Sequence, residues 1–131
     1  MANAIYPKYK EAILAASANV SLTTGTVKVA LSTAAYNSAH DFYDDVSANS
    51  IGTPQTIAST TVTNGLFDGD DVTFTSVSGS QVTSLIIYID TGSAATSRLV
   101  SFLDTNVTGL PVTPNGGNIS ITWNASGIFQ L

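Results

Sequence analysis

The side chains able to do acid, base or metal chemistry are few and gather in two places. His40, the only histidine, stands in "HDFYDD" next to Asp41 and near Asp44, and "DGDD" sets Asp68, Asp70 and Asp71 almost side by side. An imidazole paired with a carboxylate can move a proton near neutral pH or ligate a metal. A lone histidine in a loop is more economically read as structural. Three close carboxylates attract a hard cation such as calcium, but "DGDD" lacks the D-x-D-x-D-G order and the later glutamate of an EF-hand loop. Between strands, Asp and Gly are also ordinary turn or bulge residues.

Other motifs are no more specific. Serine is abundant, yet no "GxSxG" strand-to-helix turn presents a nucleophile. "TGLPVTPNGGN" is rich in Gly and Asn, but a strand follows it instead of the helix N-terminus that a phosphate loop needs. The N-x-[ST] matches at Asn19, Asn106, Asn118 and Asn124 are what chance yields in a chain so rich in Ser and Thr. Arg98 opens an expected strand and is assigned a salt bridge or carbonyl contact near Asp90 or Asp104. The expectation is therefore a chain that is not an enzyme, with no catalytic residue, no cofactor and no resident metal. Asp68, Asp70 and Asp71 are the candidates should a cation bind.

Composition narrows the function further. Only 10% of the 131 residues are charged, against about 25% in typical soluble domains, while 44% are hydrophobic. Such a surface has few charges to keep copies apart, which favours a permanent partner or self-association. Nine acids against four basic residues leave no basic face for a phosphate backbone, so nucleic acid is not an expected partner. With no cysteine, thiol chemistry is excluded. The first twenty residues are broken by Pro7, Lys8, Lys10 and Glu11 and read as no secretion signal. The longest apolar stretch, "LIIYI", is far short of the about 20 residues a membrane helix needs, so no membrane association is expected.

The elements that must position these residues are mostly strands. Tyr6, Tyr9, Ile13 and Ala16 recur at helical spacing, predicting a helix over residues 4–18 capped by Asn3, with its aromatic face on a sheet or a neighbouring subunit. From Thr26 the period becomes two. Residues 26–131 are read as the β-domain, with a long loop over 32–54 that includes "HDFYDD". "QTIASTTVT", then "NG", then "LFDGDDVTFTSV" reads as a hairpin. "QVTSLIIYID", apolar on both faces, reads as a central strand paired with "RLVSFLD". "NISITWN" and "IFQL" read as closing strands, with Trp123 in the core and Phe129 in the core or at an interface. The fold expected is mainly β: a single antiparallel β-sandwich or barrel-like domain of six to seven strands with one N-terminal α-helix.

Read in order, "IYIDTG", "TSRL", "TGLPVTPNGG", "ITW" and "GIF", together with "MANAIYPKYKEAIL" and "HDFYDDV", resemble a family of small virion structural proteins of tailed bacteriophages and prophages, nearly end to end. The chain departs from that family after "VKVAL", where "STAAYNSAHDF" replaces a longer segment. The resemblance implies a capsid decoration, or cement, protein. Such a protein is made in the bacterial cytoplasm, resides on the virion's capsid surface, binds the major capsid protein and is homo-oligomeric there. It implies no catalytic residue. On that reading the contact residues expected are Tyr6, Tyr9 and Ile13 on the helix, His40, Phe42 and Tyr43 in the long loop, and Phe129 in the last strand. The alternative is a head-fibre or tail-associated module binding host-surface glycans through loop aromatics and asparagines.

Overall fold

A computed structural model of the chain describes residues 3–105 and 107–131. Among these, ten strands and one α-helix follow in the order β1 (Ala4–Ile5), α1 (Pro7–Leu14), β2 (Thr26–Ser32), β3 (Ser50–Thr56), β4 (Thr61–Thr63), β5 (Leu66–Asp68), β6 (Val72–Phe74), β7 (Ser84–Asp90), β8 (Arg98–Leu103), β9 (Ile119–Ile121) and β10 (Phe129–Gln130). The mainly antiparallel β expectation holds. The count of six to seven does not, because strands of two or three residues are too short to carry a period in the sequence.

The principal sheet runs β1-β8-β7-β2-β3, every neighbour antiparallel. β7 lies at its middle, and all of its residues but Asp90 are buried. Registers set Lys28 opposite Tyr88, Ala30 opposite Ile86 and Ile86 opposite Phe102, so these share one face. Segment 33–49 covers that face: Tyr43 stacks on Tyr88 with centroids 4.1 Å apart, and Tyr36 meets Phe102 edge-on at 5.7 Å. The other face carries Val27, Val29, Leu31, Leu85, Ile87 and Ile89, all buried. A three-stranded sheet, β10-β5-β4, and a two-stranded one, β6-β9, add Phe67, Phe74, Ile121 and Trp123 to the same core.

The helix is shorter than residues 4–18. Ala4 and Ile5 pair with Phe102 and Ser101 of β8 instead of starting a helix. Pro7 then occupies the first turn, where its missing N–H costs nothing. At the other end Ala16 turns left-handed (φ 50°), Ser17 N–H donates to the Ala12 carbonyl and Ala16 N–H to the Ile13 carbonyl. This is a Schellman stop with Ala where Gly is usual, hence invisible in the sequence. Asn3 does not cap the helix. Its Oδ1 accepts from the N–H groups of Asp104 and Thr105 and its Nδ2 donates to the Thr105 carbonyl, pinning the chain start to the end of β8.

The expected loop over 32–54 also contracts. Two short 3-10 turns, Tyr43–Asp45 and Ser47–Asn49, lead directly into β3, an edge strand that tolerates Pro54 and Gly52. The β4–β5 hairpin turns on Asn64 and Gly65, both with positive φ, as a type I′ turn requires. Gly65 is needed twice over. A Cβ there would meet the Gln130 side chain at 2.8 Å and the Leu131 carbonyl at 3.1 Å, because β10 closes directly against the turn.

Candidate docking surface

Three of the carboxylates, those of Asp45, Asp68 and Asp71, accept from main-chain N–H groups. Asp45, downstream of His40, accepts from Asp41 N–H at 2.9 Å and Phe42 N–H at 3.5 Å. These main-chain donors, the Asp41 N–H first, hold its carboxyl below the usual carboxylate range. Phe42 and Tyr43, half-exposed, are each held to the fold on one side. Phe42 bridges to Arg98 and lies beneath its guanidinium at 5.2 Å, while Tyr43 N–H donates to the Ser97 carbonyl. His40 stays partly exposed at the start of this clamp. Arg98 donates to the Ala18 carbonyl at 3.2 Å, and Asp90 is paired instead with Lys28 at 3.0 Å.

"DGDD" acts on Trp123. Asp71 Oδ1 accepts from the Trp123 N–H at 2.9 Å, the Asp70 carbonyl accepts from the indole Nε1 at 2.8 Å, and Asp68 Oδ1 caps the N–H of Gly69. Among the described residues no three His, Asp or Glu side chains converge as metal ligands would. Asparagines of the N-x-[ST] matches are likewise engaged locally: Asn19 with the Thr96 carbonyl, Asn118 with Ser76 N–H and Asn124 with Ser126 N–H. Asn106 lies outside the described residues.

Two of the expected contact residues face inward. Tyr6 is fully buried against Tyr36, and Tyr9 is buried with its hydroxyl donating to the Val20 carbonyl at 2.8 Å. Burial pushes the Tyr9 phenol up to about 12, and burial likewise raises those of Tyr6 and Tyr88. None of the three can trade a proton near neutrality. The helix therefore gives its aromatic face to its own domain. Trp123 is in the core as expected, and Phe129 packs on Phe67 at 5.2 Å while remaining partly exposed.

One open surface is apolar. Tyr9, Ile13, Leu22, Val62, Phe129 and Leu131 line a groove of about 300 Å³ between the helix, the turn before β2 and the three-stranded sheet. Val62 is 51% exposed and Leu131 56% exposed along its wall, and Leu14, next to Ile13, is 88% exposed. Of the expected contact residues, Ile13 and Phe129 belong to this surface, with Tyr9 closing its base. Val62, Leu131 and Leu22 were not legible as a group, since they come together only through the hairpin and the last strand.

No protein-family model matches this chain, and no curated protein sequence matches it.

Proposed function

We propose that the chain is a non-enzymatic capsid decoration protein of a tailed bacteriophage, bound to the major capsid protein on the outer shell and oligomeric there. The observation that carries this reading is the apolar groove with Val62 and Leu131 exposed beside it, on a chain with only 10% charged residues. Fully burying an exposed Val or Leu is worth about 1.5–3 kcal/mol. Two or three such side chains seated at a capsomer junction, repeated over many copies, add up to a large stabilisation of a shell. The resemblance to small virion proteins supplies the identity of the partner. The loop clamps and capped aspartates fit a chain whose polar groups stabilise its own fold and leave docking to apolar contact.

The test is direct. Shells assembled without this chain should form but burst at lower temperature, and adding the purified chain should restore their stability at a fixed stoichiometry. Equal stability of depleted and complete shells would refute the reading. Saturable binding to an array of host-surface glycans, with no binding to shells, would establish the glycan-binding alternative in its place.

A further inference from the structure

Two edge strands from different sheets border a second groove. Tyr6 N–H donates to the Val100 carbonyl at 3.0 Å, and Ile5 sits opposite Ser101. Bonded and non-bonded pairs alternate along an antiparallel ladder, so Ile5 is the residue whose own N–H and C=O turn away from β8. The same holds in β10, where Leu131 N–H donates to the Gly65 carbonyl at 2.8 Å and Gln130 sits opposite Leu66. The main-chain groups of Gln130 therefore turn away from β5. Neither Ile5 nor Gln130 has a further main-chain partner among the described residues.

Both residues line one groove of about 550 Å³, within the range of about 300–1,000 Å³ usual for ligand sites. Ser101 and Leu103 line it as well. The Ser101 hydroxyl is fully buried and has no hydrogen-bond partner, an unmet requirement that a protein rarely leaves in place. Lys10 stands at the rim and has no carboxylate partner among the described residues, whereas Lys8 pairs with Glu11 and Lys28 with Asp90. Of the longer outer edges, β3 is interrupted by Pro54 and a left-handed Gly52.

We propose that this groove accepts an extended peptide segment of a partner protein as an added strand. Its main chain pairs with Ile5 on one side and Gln130 on the other, a polar group reaches the Ser101 hydroxyl, and an acidic side chain meets Lys10. Main-chain pairing to exposed edges gives such a site its affinity, and the alternate side chains give it selectivity. This goes beyond the decoration reading and stands without it, since a strand from any assembly partner satisfies the same groups.

The experiment titrates the isotope-labelled full chain with a pool of synthetic peptides of about six residues, the usual strand length, alternating Val and Thr with one Asp. The amide resonances of Ile5 and Gln130 should shift and gain protection from hydrogen exchange. N-methylating the peptide nitrogen that faces Ile5 should weaken a selected peptide roughly tenfold, the loss expected for a main-chain hydrogen bond. Lys10→Glu, at an exposed position, should weaken it severalfold and leave the fold intact. Each of these results would overturn the proposal: no peptide moves these amides, N-methylation has no effect, the shifts fall on Thr61–Thr63, or oligosaccharides move the Ile5 and Gln130 amides and peptides do not. Concentration-dependent protection of the same amides without peptide would assign the groove to a second copy and overturn it equally.

Discussion

The middle of the principal sheet and the three-stranded sheet are built from the same residue types and end up with opposite roles. β7 is seven residues long, flanked on both sides by long strands, and buried from Ser84 to Ile89. β4 is three residues long, exposed throughout, and ends its sheet with Val62 uncovered. A long strand with two partners satisfies its main chain and both faces internally. A short strand at an edge leaves apolar side chains and backbone groups for something else to cover. The chain thus divides into a part that holds the fold and a part that leaves apolar side chains uncovered, and substitutions should separate the two.

The largest effect is expected at the centre. Ile87→Ala should cost about 2–5 kcal/mol, because neighbouring strands cannot collapse into the cavity, and should lower the urea midpoint accordingly. Asp71→Ala should cost less, about 1–3 kcal/mol, by orphaning the Trp123 N–H. Because the Asp68 and Asp71 carboxylates already accept from backbone N–H groups, adding calcium should leave the thermal midpoint unchanged. A calcium-dependent rise would show that a cation site forms there.

These contrasts follow what the sequence could and could not convey. β7 was legible because Leu85 to Ile89 read as an apolar run on both faces. The Asn64-Gly65 hairpin was legible because that dipeptide suits two successive left-handed residues. Trp123 was legible from the alternation of "ISITW". By contrast, Ala4 and Ile5 continue the helical spacing of Tyr6 and Tyr9, so only pairing with β8 reveals them as a strand. The inward turn of Tyr6 and Tyr9 was hidden for the same reason: a helical stripe gives a face and no direction. Phe42 and Tyr43 looked available in a charged loop, and only their contacts with Arg98 and Tyr88 show them held. The apolar groove joins residues more than a hundred positions apart, which no local pattern encodes.

A smaller effect should follow pH. The Gly92 N–H and then Lys28 hold the Asp90 carboxyl below the usual carboxylate range. A depressed folded pKa contributes stability above the unfolded value and loses it as pH falls through the folded one. Asp90→Asn should therefore cost about 1 kcal/mol at pH 7, and its difference from the parent chain should shrink in denaturation series as pH falls through the lowered folded-state pKa of Asp90.

The smallest effect on stability is expected at the open edge. Val62→Asp and Leu131→Asp replace exposed side chains and should stay within about 0.5 kcal/mol of the parent. Their effect should fall on docking, and co-sedimentation with shells assembled without this chain measures it. The parent chain should pellet with the shells at saturating stoichiometry, while the folded Val62→Asp, Leu131→Asp double variant should remain in the supernatant. Equal co-sedimentation of the two, or none for the parent, would contradict docking through the three-stranded sheet.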